Sequence, residues 1–250
     1  MIDTPVSFDL EVGEQVYKQK FAEYQSQILS PLAPETLLLK RIGKRLVVAA
    51  RETFPEIVEN FEWRFVVVDL PIKNAFCAPG GKVFVFTGLL EGMGSEDELA
   101  SIVAHEVGHA IARHGSERIA LAKLTFVFYF LLWLFFDQLQ IASLVVNLAL
   151  TLPYSRKIEK EADALGLFLM TAACYDPRES PKAFKALMKD EKMGTVEFLS
   201  THPATEGRIK EMNKMLPEIE KMYNEKCVKA DSFFDAFGYG DRWRQFGGRY

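Results

Sequence analysis

The segment SIVAHEVGHAIARHG, residues 101–115, restricts what this chain can fold into more than any other. Its secondary structure is marked from outside. Ser95 with Glu98 three residues later is a capping-box pattern that opens a helix. That helix is expected to run to about His114, with Gly115 as its stop signal. His105 and His109 are four apart and so share one face, a turn apart. Two imidazoles in that relation can hold one zinc ion at about 2.0–2.1 Å. Glu106 is rotated by about 100° from His105, beside the open coordination position. A carboxylate there can take a proton from water whose pKa the metal lowers toward about 7. Gly108 keeps the helix thin between the two ligands, where another backbone can pass closely.

A histidine pair on a helix is also an ordinary core or surface feature, so the reading depends on a third ligand. No histidine continues the pattern HExxHxxGxxH. His114 lies five residues beyond His109, about 140° round a continuous helix, and is expected as a solvated helix-end histidine facing the dipole. The segment YSRKIEKEADALG, residues 154–166, offers a carboxylate instead. Glu159 and Asp163 share a face, with Gly166 next along it. Glu159 can be the third ligand, and Asp163 can fix the tautomer of a ligand histidine; Glu161 points elsewhere, toward solvent. An ordinary charged helix face would look the same. In LSTHPATEGRI, residues 199–209, His202 precedes Pro203, which biases it toward extended backbone in a loop before a helix. From there it can donate to a developing oxyanion, with Arg208 to orient it or to pair with Asp163. A plain surface histidine at a helix entry is the alternative.

The rest of the chain sets the frame. With 250 residues, 49% of them hydrophobic, it can bury a substantial core in one large domain or two small ones. A net charge of −4 without a basic cluster argues against a nucleic-acid partner. Helical patterns cover residues 11–29, 34–53, 154–170, 181–190 and 204–224, and residues 62–69 read as a strand. From Asn74, a turn at Pro79–Gly81 followed by KVFVFT gives a hairpin-like pair of strands. The fold class is therefore α+β, mainly α. Its organisation is an extension over 1–33, a main domain over 34–225 and an aromatic, glycine-rich tail over 226–250.

Residues 119–152 form an apolar insertion, in which LTFVFYFLLWLFF carries no charge. Neither of its apolar pieces reaches the roughly 20 residues of a comfortable bilayer span. A buried helical hairpin, a membrane-dipping helix and an interface all fit. The N-terminus has neither secretory-signal nor transit-peptide character. Cys77, Cys174 and Cys227 contain no CxxC pair and read as reduced, mostly buried thiols; if any pair forms, Cys174 with Cys227 is the one.

Taken together, HExxH, then ExEADxxG after an apolar stretch, then THPxxxxRI resembles the gluzincin metallopeptidases that include the CAAX prenyl proteases and the HtpX-like proteases. NAFCAPGG, VFTGLL, LPYSRKIEKEADALGL, ACYDPR and FLSTHPATEGRI are most similar to its Oma-type branch, mitochondrial inner-membrane proteases overlapping in activity with the m-AAA protease. The likeness spans roughly residues 35–225. It implies one Zn2+ per chain, held by His105, His109 and Glu159, with Glu106 as general base, His202 as a second catalytic group, and Asp163 and Arg208 behind the ligands. It implies that Asn74, Ala75 and Phe76 border the cleft, where a substrate can add as an extended strand. It also implies protein substrates, membrane proteins among them, membrane contact through 119–152 and quality control at the mitochondrial inner membrane, facing the intermembrane space; bacterial relatives leave a bacterial-type membrane setting as the alternative. An oxidising compartment of that kind would permit a Cys174–Cys227 disulfide. A homo-oligomer is compatible with all of this. Two other functions remain open: a non-catalytic membrane-associated adaptor with the same fold, and a zinc hydrolase of non-peptide bonds.

Overall fold

A computed structural model of the chain describes residues 5–135, 152–191, 196–203 and 205–228. The α+β, mainly helical class holds. The helices are α1 (Val6–Glu23), α2 (Pro34–Thr53), α3 (Pro55–Val58), α4 (Thr87–Gly92), α5 (Glu96–Ile111), α6 (His114–Phe135), α7 (Leu152–Ala172), α8 (Glu179–Glu191), α9 (Phe198–Thr201) and α10 (Glu206–Tyr223). The strands are β1 (Arg64–Val68), β2 (Ala75–Ala78) and β3 (Lys82–Phe86), in the order β1-β3-β2. β3 pairs antiparallel with β2, as the hairpin reading expects, and parallel with β1.

Alternation along β3 explains why the sheet is covered on both faces. Val83 and Val85 enter the main core, while Phe84 and Phe86 form a second cluster with Tyr17 and Tyr24 from the α1 side. The helical pattern of 11–29 needs correction. The helix starts earlier and ends at Glu23, and Gln27–Leu29 turn back along the outer edge of β1, where Leu29 N–H donates to Val67 O. This gives backbone groups of an edge strand partners they would otherwise lack.

The centre of the domain is α5, buried without interruption from Leu99 to Ile111. Its start is capped as the pattern expects: Ser95 Oγ accepts from Glu98 N–H at 3.1 Å, and the Glu98 carboxylate accepts from the N–H of Gly94, one residue before the cap, at 2.7 Å. α7 lies against it at very short range. A Cβ on Gly108 would stand 3.1 Å from Ala162 O, and one on Gly166 would stand 3.3 Å from the His105 backbone nitrogen. Each glycine thus leaves room for the other helix's backbone. This is the close passage anticipated at Gly108.

The expected stop at Gly115 is displaced. α5 ends at Ile111, and Arg113 makes the break with φ of 60°. His114 then opens α6, and Gly115 falls in its first turn against the Pro79 ring. Beyond Lys123, α6 carries Leu124, Phe126 and Val127 exposed, Phe126 at 71%. Among the described residues no helix is long and apolar enough to cross a membrane. The second half of the apolar insertion, 136–151, lies outside the described residues, as does the tail from 229.

Cys174 and Cys227 are joined, with their Cα atoms 5.6 Å apart, so the reading of three reduced thiols is corrected to one bridge and one free thiol, Cys77. Sequence spacing could not show this, because the bridge unites the turn after α7 with the single π-helical turn (Asn224–Val228) that follows α10.

Two outcomes follow from this packing. Gly108→Val forces α5 and α7 apart, which is expected to cost about 1–3 kcal/mol and to weaken metal uptake in parallel; unchanged melting and uptake would mean the close approach is dispensable. Replacing Cys174 and Cys227 by Ala is expected to lower stability by about 2–4 kcal/mol, because the bridge closes a loop between residues far apart in sequence. Denaturant unfolding under oxidising conditions measures it, and an unchanged midpoint would contradict the staple.

Candidate metal centre

Three elements bring the site together. α5 supplies His105, Glu106 and His109, α7 supplies Glu159 and Asp163, and the α9–α10 connection supplies His202, with Arg208 in the first turns of α10. Thr205 caps α10 by accepting from Arg208 N–H, which fixes where that arginine leaves the helix. All seven side chains are buried, Glu106 and His105 to 1% exposure.

His105 Nε2 and His109 Nε2 lie 3.0 Å apart. Glu159 presents Oε2 at 3.3 Å from His105 Nε2 and Oε1 at 3.5 Å from His109 Nε2. Donor atoms around a tetrahedral zinc with bonds of about 2.0–2.1 Å stand about 3.3–3.4 Å from one another. The three observed separations frame that value, so the donor set fits zinc in both chemistry and spacing. His202 adds a fourth buried nitrogen to the same cluster, whose ligand atoms all lie within 4.8 Å of one another.

Each of the two histidines is held from behind. His105 Nδ1 lies 3.1 Å from Asp163 Oδ1, and Arg208 clasps Asp163 through Nε at 2.8 Å and Nη2 at 2.6 Å. Arg208 Nη1 also reaches Glu159 Oε2 at 3.0 Å and the Pro203 carbonyl at 3.0 Å. Both roles considered for Arg208 therefore coexist: it pairs with Asp163 and ties down the His202–Pro203 loop. His109 Nδ1 lies 2.8 Å from His114 Nδ1.

His114 is the residue that sequence reasoning misplaced. It is 2% exposed, not a solvated helix end. The 140° argument assumed a continuous helix, and the left-handed turn at Arg113 turns the ring back toward His109. Glu161 is half-exposed as expected, with Oε2 3.6 Å from His114 Nε2.

Electrostatics set the donors in different protonation states. Burial disfavours an imidazolium at His105, but Asp163 and Glu159 outweigh it and raise its pKa to about 9. Burial also works against the Glu159 charge, yet hydrogen bonds from His105 and His202 hold its carboxyl far below the ordinary range. At His109 burial acts first and the neighbouring His105 and His202 add to it, pushing the pKa well down and leaving a neutral imidazole. Burial raises the Glu106 pKa.

Glu106 lies between the metal cluster and the sheet. Its Oε1 accepts no hydrogen bond among the described residues and lies 3.5 Å from His202 Nε2. The carboxylate also accepts from the Cys77 backbone N–H of β2. Phe86 N–H donates to Asn74 O, and the register pairs Phe76 with Phe84, so the backbone groups of Ala75 and Cys77 point away from β3 toward α5. β2 thus turns its outer edge toward Glu106, which takes the Cys77 N–H. Asn74 itself donates from Nδ2 to Glu197 Oε2 at 3.3 Å, and Lys73 O accepts from Phe198 N–H. His202 stacks on Phe198, ring centroids 4.8 Å apart, with Nδ1 at 3.2 and 3.3 Å from the Glu159 oxygens.

A helix carrying HExxH, a glutamate from a second helix packed directly on it, and a sheet edge alongside define a metallopeptidase-type site. The chain belongs to peptidase family M48, whose match covers residues 35–216. It is 36% identical over 87% of its length to the mitochondrial metalloendopeptidase OMA1 of Schizosaccharomyces pombe, covering 64% of that protein. It is 33% identical over 92% of its length to the protein of the same name in Saccharomyces cerevisiae, covering 70% of it. With the human mitochondrial metalloendopeptidase OMA1 it shares 30% identity over 86% of its length and covers 44% of that protein.

The donor set leads to a direct expectation. Purified protein binds about one zinc per chain, and Glu159→Ala weakens binding by more than the about 10–100-fold that outer partners are worth. Zinc retained at full affinity in the variant would take Glu159 out of the ligand set.

Proposed function

We propose that the chain is a zinc-dependent endopeptidase acting on membrane or membrane-associated proteins in mitochondrial quality control. The observation that carries this reading is the buried Glu106, with one oxygen unpartnered, set between a zinc-compatible donor triad and the edge strand β2. His105, His109 and Glu159 would hold the ion, with Asp163 and Arg208 fixing His105 and Glu159 in place. Zinc, when bound, supplies Lewis-acid polarisation of the substrate carbonyl and lowers the pKa of water.

The protein's own groups do the rest. An extended substrate chain adds along the outer edge of β2 at Ala75, flanked by Asn74 and Phe76. Main-chain pairing gives affinity with little demand on sequence. Glu106 removes a proton from the attacking water at Oε1 and delivers it to the leaving amine. Burial raises its pKa and so favours both halves of that exchange. His202, on the same side as Glu106, is the side chain placed to stabilise the oxyanion. The catalytic unit on this reading is 34–225, with the apolar insertion as an attachment.

Membrane contact is supported by the exposed Leu124, Phe126 and Val127 on α6, because adjacent exposed apolar side chains of this size mark interaction surfaces. Mitochondrial placement is supported by the names of the relatives. An inner-membrane site facing the intermembrane space is supported by the Cys174–Cys227 bridge, since disulfides persist in oxidising compartments.

Glu106→Gln keeps the shape of the site and removes the base. Cleavage of an unstructured protein substrate is expected to fall by about 10²–10⁴-fold with zinc content unchanged. Normal cleavage in the variant, or no peptide product from the wild type, would overturn the assignment.

A further inference from the structure

We infer that His114 is the positioning residue for His109, accepting the His109 Nδ1–H so that the Nε2 lone pair faces His105 and Glu159. The inference rests on the zinc reading of the site and names a residue that reading does not need.

The argument starts from proton counting. A neutral imidazole carries one proton, so a histidine that offers Nε2 to a metal must carry it on Nδ1. His109 is buried, and a buried N–H without an acceptor is costly. At His105 the acceptor beside Nδ1 is the Asp163 carboxylate, 3.1 Å away. For His109 the group at hydrogen-bond distance is His114 Nδ1, at 2.8 Å.

The far side of the His114 ring agrees in sign. Its Nε2 is buried, makes no hydrogen bond among the described residues, and faces Glu161 Oε2 at 3.6 Å. A carboxylate is matched by N–H, not by a lone pair. A proton on His114 Nε2 leaves Nδ1 as an acceptor, which is what His109 Nδ1–H requires.

The turn that brings His114 round is held by the N-terminal helix. Arg113 adopts φ of 60°, a left-handed conformation that is unfavourable for a non-glycine residue. Asp9 of α1, 1% exposed, receives Arg113 Nε at 2.8 Å and Nη2 at 2.5 Å, and also accepts from Ser116 Oγ. A residue near the start of the chain thereby fixes the turn that aims His114.

The test is competitive zinc titration against a chromophoric chelator, on the full chain, for wild type, His114→Leu and His114→Asn. Leu removes the acceptor and is expected to raise the zinc Kd about 10–100-fold. Asn places an amide oxygen near the former Nδ1 and is expected to restore binding to within a few-fold. Equal affinity in wild type and His114→Leu, or no restoration by Asn in a folded variant, overturns the inference while leaving the zinc centre intact. Absence of zinc from the wild type overturns the zinc reading itself. Long-range 1H–15N spectra of the zinc-loaded wild type give a second readout that needs no variant. His109 protonated at Nδ1 and His114 at Nε2 is the expected pattern; the reverse protonation of His114 contradicts it.

Discussion

The site exists because two helix backbones touch. α5 and α7 meet where Gly108 faces Ala162 O and Gly166 faces the His105 backbone nitrogen, with no side chain between them. A Glu side chain is short, and only at this range does Glu159 come within 3.5 Å of both His105 and His109. The remainder of the fold serves that contact. α5 is buried along its whole middle, and α2, β2 and α8 pack round it. The Cys174–Cys227 bridge ties the end of α7 to the turn that follows α10, the helix whose start carries Arg208.

Charge burial is the second constraint, and it is met pairwise. Asp163 and Arg208 are both about 95% buried and would each be unfavourable alone; their two-point contact neutralises them and leaves Asp163 free to address His105. Arg208 also balances Glu159. Before any ion arrives the Glu159 and Asp163 carboxylates are thus charged and His109 is neutral, while His105, with its pKa raised to about 9, gives up a proton when the ion binds. Glu106 is treated differently. It is buried with one oxygen unengaged, the arrangement that suits a group whose work is to gain and lose a proton.

Much of this was readable in residues with strong local meaning. Ser95 and Glu98 mark the start of α5, the four-residue spacing sets His105 over His109, and the same spacing in α7 puts Glu159 and Asp163 on one face. The structure brings all of these together with His202 and Arg208, and sets Asn74, Ala75 and Phe76 on the sheet edge beside them. What could not be read depends on tertiary geometry. β1 runs parallel to β3 although hairpin signals speak only for β2 and β3. The left-handed turn at Arg113 is a non-glycine choice enforced by Asp9, over a hundred residues away, so helical phase arithmetic sent His114 to the wrong side. The disulfide joins two segments whose nearness follows only from how α7 and α10 pack.

The central claim is that one zinc ion sits among His105, His109 and Glu159. A crystal structure of the zinc-loaded protein with anomalous data at the zinc edge tests it most directly. The account predicts one strong peak about 2.0–2.2 Å from His105 Nε2, His109 Nε2 and a Glu159 oxygen. A peak elsewhere, or an ion bound to the histidines with Glu159 turned away, would contradict it.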